Sequence, residues 1–303
     1  MESKKKGKAK RLLHLLWIVP LLIVLAFAAL MYVVPALENV DRSIIEGSSE
    51  WMKGLDDDMP LSEVVLPGTH DSATKDVQLA YFSKCQALTV GEQLEAGFRY
   101  LDIRLGESDS GLKLMHGFTN CKTGPWPWSG TLYLDDVLED CYAFLDAHPT
   151  EFIIFCAKHE HGDMDDNAFL AELEGVTSKA PDRWYLGDGI PTVGEARGKL
   201  VLLRRFGTEG PGLLFTWEDQ DKDAPEGAEF PNVPYFNLTV QDRYELETEE
   251  KWQKFTDVMH HERPAEEGEL TLSFLSTKGS AKFGHPYKYA SVLNERLLRY
   301  PRE

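Results

Sequence analysis

The sequence predicts an α/β fold, a TIM-type (β/α) barrel behind one N-terminal transmembrane helix, and three observations carry that prediction. From about residue 60, short β-rich runs alternate with amphipathic helical stretches, the pattern of parallel strands joined by helices. A length of 303 residues suits one barrel-sized domain. The run Leu12 to Leu37 holds no Asp, Glu, Lys or Arg, and as a helix it is long enough to cross about 30 Å of hydrocarbon.

Taken in order, Lys4, Lys5, Lys6, Lys8, Lys10 and Arg11 make residues 1–11 a basic tail. The positive-inside rule places that tail in the cytoplasm and everything after the 12–37 segment outside. The segment reads as a single-pass anchor in the cell membrane. It would instead be a signal peptide, and the rest secreted, if the small residues of Val34-Pro35-Ala36 mark a cleavage point; the length favours the anchor. Residues 38–59, polar and ending in Asp56-Asp57-Asp58, read as a linker, and 60–303 as the barrel. Strands are predicted near 63–67, 99–104, 112–116, 152–158, 199–205, 235–241 and 270–276, and helices over 86–97, 133–147, 165–174, 245–260 and 286–299. Leu134, Val137, Leu138, Cys141, Phe144 and Leu145 form the stripe of a helix packed on a barrel.

The formal net charge is −18 despite the basic tail. A body so acidic is repelled by phosphate backbones, which argues against a nucleic-acid partner. Approach to an anionic bilayer would then rest on local apolar contacts.

Chemistry-bearing side chains gather at the ends of the first three predicted strands. Pro67-Gly68-Thr69-His70-Asp71-Ser72 delivers a His and an Asp from a Pro-Gly turn, where barrel enzymes hold their active sites. Asp102 and Arg104 share one face of the second strand by period two, opposite Leu101 and Ile103. With the apolar pair turned to the helices, the charged pair points into the barrel, where it needs partners. The third strand ends in His116-Gly117. Two histidines can remove one proton and donate another near neutral pH, and a guanidinium can hold phosphate oxygens, so the set suggests phosphodiester chemistry.

These blocks, with Phe144-Leu145-Asp146-Ala147-His148-Pro149-Thr150-Glu151, Gly198 to Arg205 and Val240-Gln241-Asp242-Arg243-Tyr244, resemble the bacterial phosphatidylinositol-specific phospholipases C, the phospholipase C X-domain family, from about Leu61 to Tyr300. The resemblance implies a lyase that cleaves phosphatidylinositol in a membrane surface to diacylglycerol and inositol 1,2-cyclic phosphate. It implies His70 as general base on the inositol 2-hydroxyl, His116 as general acid and Asp71 as the group that orients His116. Arg104 would hold the phosphate where calcium sits in metal-dependent relatives, so no cofactor and no metal are expected. Lys158, Arg205, Asp242 and Tyr244 match ring-binding positions. The family's last strand also brings an Asp to the catalytic base. Here the stretch 287–300 reads as the preceding helix, so the eighth strand is expected to be missing, the barrel open, and His70 without an evident partner.

Trp126 and Trp128, in the loop after His116, and Trp217, after Arg205, are expected to touch the membrane, because indoles favour its interface. Among the four cysteines, Cys156 is expected as a buried thiol and Cys85 to pair with Cys121. His159 and His161 share a strand face but lack an obvious third ligand; His260, His261 and His285 are expected at the surface. Two alternatives to the lyase are a catalytically weak inositol-lipid-binding module and a phosphodiesterase for another head group.

Overall fold

The uncharged apolar run folds as one helix, α1 (Leu16–Ala36), with mean hydropathy 2.6 and exposed along most of its length. The computed structural model describes residues 16–207, 209–225, 227–229, 237–259, 269–281 and 284–300. The basic tail 1–11, the start of the expected membrane segment, His260, His261 and residues 301–303 lie outside the described residues. The helix passes through a π-helical stretch at Ala29–Val33, and there Met31, and a turn later Pro35, are buried against the body.

The latter part of the expected linker is structured. Ser48–Gly54 forms a 3-10 turn at the barrel's floor, where Met52 is fully buried and its N–H donates to Glu151. Glu151 in turn pairs with Arg99 at 2.8 Å, and both are shut off from solvent.

One sheet contains β1 (Gly68–Thr69), β2 (Tyr100–Gly106), β3 (Lys113–His116), β4 (Thr119–Asn120), β5 (Ile153–His161), β6 (Trp184–Tyr185), β7 (Leu200–Arg204) and β8 (Leu213–Leu214). A second, parallel pair is β9 (Asn237–Gln241) with β10 (Glu269–Ser273). The helices after α1 are α2 (Ala80–Ser83), α3 (Val90–Glu95), α4 (Leu134–Ala147), α5 (Asp166–Thr177), α6 (Val193–Ala196), α7 (Thr248–Met259) and α8 (Pro286–Arg299). Local sequence sets several starts: Thr89 and Glu92 form a capping box on α3, and the Asp165 carboxylate caps α5.

The parallel spine is β2–β5–β7. Alternation along it sorts side chains into two cores. Leu101, Ile103, Leu105, Phe155 and Leu202 pack outward against α4 and its neighbours, while Tyr100, Ile154, Cys156, Val201 and Leu203 fill the interior. Leu238 and Val240 of the second pair, with Phe274 just past β10, join that interior core together with Leu61. The architecture is a TIM-type barrel with seams: among the described residues no ladder joins β8 to β9 or β10 to β1.

Two strands differ from expectation. The first is short, because Leu61–Glu63 is a 3-10 turn and only Gly68 and Thr69 pair with β2; Pro67 can offer only its carbonyl, which accepts from Arg99. The third runs antiparallel to β2. The loop between them, with Gly111 at φ +108°, turns tightly, whereas a parallel return needs a crossover of about a dozen residues. All four cysteines are free thiols, so the expected Cys85–Cys121 pair is absent. Cys121 lies in the outer core, while the Cys85 sulfur faces Asp71 at 3.9 Å.

Candidate active site

Asp71 is the hinge of the site. Its backbone is left-handed (φ 47°), a region Asp tolerates better than most residues, and this turns the fully buried carboxylate inward after β1. The turn is held from several sides. Asp71 N–H donates to Asp102 Oδ2 at 3.1 Å, Ser72 Oγ accepts from Asp102 N–H at 2.8 Å, and Gln93 donates to the Ser72 carbonyl at 2.8 Å.

Around that hinge the side chains converge. Asp71 Oδ2 lies 3.0 Å from His70 Nε2 and 3.5 Å from His116 Nε2, and Oδ1 lies 2.9 Å from Arg104 Nε. Asp102 Oδ2 lies 3.1 Å from His70 Nδ1 and 3.2 Å from Arg104 Nη2. His116 Nδ1 lies 2.8 Å from the Ser83 carbonyl, which can only accept, so that nitrogen carries a proton. Asp102 imposes the same on His70 Nδ1. Both Nε2 atoms, whose protons can come and go, therefore meet at one carboxylate oxygen beside a guanidinium.

The charges hold one another. Burial opposes ionisation of Asp71 and Asp102, yet Arg104 and His70, with His116 at Asp71 and Arg205 at Asp102, keep both carboxyls well below the usual range. Burial also opposes the His70 imidazolium, but the Asp71 charge and hydrogen bonds to Asp102 and Asp71 raise its pKa to about 9. Arg104 stays charged, because the pull of Asp102 and Asp71 exceeds the cost of burying it.

Residues 58–176 match the PI-PLC X family model. The chain carries a PI-PLC X domain. It is 25% identical over 277 residues to the 1-phosphatidylinositol phosphodiesterase of Staphylococcus aureus (strain Newman), covering 86% of each chain. Against the protein of that name from Listeria monocytogenes it is 26% identical over 266 residues, covering 84% of this chain and 75% of the relative. A solved mutant of the S. aureus phosphatidylinositol-specific phospholipase C superposes with a TM-score of 0.70 at 23% identity, covering 84% of this chain and 86% of that one. The Listeria enzyme gives 0.64 at 23%, covering 83% and 86%. The structures establish the shared barrel, and the sequences establish homology to bacterial phosphatidylinositol-specific phospholipases C.

The X domain itself supplies His70, Asp71, Asp102, Arg104, His116 and Lys158, and the strands beyond it supply the facing wall. Arg205 Nη1 lies 3.6 Å from Asp102 Oδ1 and Nη2 lies 3.7 Å from Asp242 Oδ2. Arg205 Nη1 and Asp102 Oδ1 are buried and face each other at 3.6 Å, beyond hydrogen-bond distance, so charge alone holds them together. Trp217 differs from its expected place at the membrane. Its ring covers the Arg205 guanidinium at 3.6 Å and its Nε1–H donates to Asp242 at 3.1 Å, so a cation and an acceptor hold it inside the mouth. Tyr244 makes its contacts with Asp219, to which its hydroxyl donates at 2.9 Å, and with Lys278. Trp126 and Trp128 are exposed and stacked on each other beyond β4.

Sequence reasoning missed the partner of His70, which is Asp102, and overlooked Glu160. The Glu160 carboxylate bridges Arg104 (3.2 Å), Lys158 (2.6 Å) and the Gly117 N–H (2.9 Å), and so ties the His116 turn to β5. Period two from Lys158 would have found it. His159 faces outward, stacked on Phe169 and paired with Glu107 and Asp166, and His161 is exposed. Among the described residues the one set that could hold a metal ion is His70, Asp71 and Cys85. A cation there would meet Arg104, already 2.9 Å from the same Asp71 carboxylate.

Proposed function

We propose that the protein is a phosphatidylinositol-specific phospholipase C of the lyase type, held at the outer face of the cell membrane by α1. The observation that carries the reading is the meeting of two imidazole Nε2 atoms at Asp71, beside Arg104. His70 Nε2 takes the proton of the inositol 2-hydroxyl, and that oxygen attacks phosphorus. The bond from phosphorus to the glycerol oxygen breaks, and His116 Nε2 delivers a proton to the departing oxygen. Arg104 draws charge from the phosphate oxygens, the role a metal ion plays elsewhere, and Asp71 steadies the His116 imidazolium. Diacylglycerol and inositol 1,2-cyclic phosphate result. Lys158, Arg205 and Asp242 bind ring hydroxyls, Tyr244 flanks the ring, and Trp126 and Trp128 enter the lipid surface.

The test uses purified protein with phosphatidylinositol or phosphatidylcholine vesicles, with and without chelator. Release of cyclic phosphate from phosphatidylinositol alone, indifferent to chelator and abolished by His70→Ala or His116→Ala, is the expected result. Binding without turnover would make the protein an inositol-lipid-binding module, and loss of activity to chelator would overturn the metal-free mechanism.

A further inference from the structure

The membrane helix does not end in free chain. Its last turns are fastened to the segment that positions His116. Met31 and Pro35 are the buried residues of an otherwise exposed helix, and the stretch Ala29–Val33 packs against α2, whose Ser83 carbonyl accepts from His116 Nδ1. Just past the helix, Glu38 lies 3.3 Å from His285 Nε2 and 4.0 Å from Lys84 Nζ, and Lys84 also donates to the Pro35 carbonyl at 3.1 Å. His285, at the start of α8, donates through Nδ1 to the Tyr81 carbonyl and stacks on the Tyr81 ring at 4.0 Å. Tyr287 donates to the Asn39 carbonyl at 3.1 Å. Three parts far apart in sequence, the end of α1, α2 and the head of α8, thus form one clasp at the barrel's mouth.

This arrangement fixes a depth as well as a direction. Most of the large exposed apolar side chains of α1, from Leu16 to Leu30, precede Met31, and Val33 and Val34 are the exposed ones that follow it, so the hydrocarbon boundary falls near the clasp, with Glu38, Lys84 and His285 where polar side chains would meet headgroups. Phe118, beside the His116 turn, is 68% exposed, an apolar side chain turned outward at the same mouth. We propose that α1 is a working part of the mouth: the clasp holds the barrel face-down on the bilayer that contains α1, so the protein takes its phosphodiester lipid in cis, from its own membrane. The inference rests on the phospholipase reading and adds the source of the substrate.

Tethering alone would raise local lipid concentration, so the test keeps the tether and removes the clasp. Full-length protein is reconstituted into phosphatidylinositol vesicles beside a variant with about ten Gly and Ser residues inserted between Leu37 and Glu38, a flexible coil that preserves the anchor, together with Met31→Ala and Lys84→Ala, which remove the contacts that hold α1 on α2. Cleavage of lipid in the protein's own vesicles, of lipid in added protein-free vesicles and of a soluble inositol phosphodiester is followed, with hydrogen exchange across residues 79–87. The expected result is a drop of about tenfold in cis cleavage in this variant, with turnover of the soluble compound kept and exchange at 79–87 accelerated. Unchanged cis cleavage, equal loss on the soluble compound, or unchanged exchange overturns the proposal. If the parent protein cleaves none of the substrates, the phospholipase reading has failed, while unchanged exchange in the variant still reports separately that the clasp is wrong.

Discussion

At the scale of single residues, His70 concentrates the electrostatics of the site. Its pKa in the folded protein, about 9, lies above the ordinary 6.5. The bound proton therefore stabilises the fold fully below about pH 6.5, and that contribution fades as pH rises through about 9, in total about 3 kcal/mol. NMR titration of the His70 ring should give a midpoint near 9, and Asp71→Asn should lower it; a midpoint near 6.5 in the parent protein would refute the geometry. As a base, His70 is mostly protonated at neutral pH, so kcat/KM should rise between pH 7 and 9. Asp102 supports this ring and two arginines at once. Asp102→Asn should cut kcat by about a thousandfold or more with the far-UV circular dichroism kept, as loss of an orienting carboxylate does in hydrolase triads. The sequence displayed Asp102 on the correct face, since period two settles faces. Its partner was not legible, because β1 and β2 pair over only two positions and their register comes from tertiary packing.

At the scale of elements, the antiparallel β3 is what brings His116 down beside Asp71. It passes so close to β2 that a Cβ on Gly106 would lie 2.3 Å from Met115 Sδ and 2.7 Å from the His161 carbonyl. Gly106→Ala should therefore cost about 1–3 kcal/mol, seen as a lower melting temperature, and should reduce kcat by displacing the His116 turn. Equal melting temperatures would show that β3 can move aside freely. The long helices and the spine strands were legible within a few residues, since α4, α5, α7, α8, β2, β5 and β7 each repeat an apolar period over several turns or pairs. The two-residue strands β1, β4, β6 and β8 were not, for two residues show no period. The direction of β3 was missed because apolar alternation is the same in parallel and antiparallel strands.

At the scale of the whole molecule, an acidic body, at −18 for the chain, carries exposed rings at Phe118, Trp126 and Trp128, the side chains proposed to meet lipid. If Trp126 and Trp128 together contribute about 1.4 kcal/mol of interfacial binding, their double alanine variant should cleave vesicle phosphatidylinositol about tenfold more slowly. Hydrolysis of a soluble inositol phosphodiester should hold; equal rates on vesicles would reject the rim's role. The expectation of an incomplete barrel came from the missing pattern of an eighth strand, and the structure has its seams on both sides of the β9–β10 pair. That pair leads into Asp242, whereas Arg205 follows β7 in the main sheet. The pocket wall is thus built from two pieces that share side-chain packing and, among the described residues, no backbone ladder. A polyol spanning Arg205 and Asp242 would act as a rivet between them, making substrate affinity and the mechanical unity of the barrel two readings of the same contact.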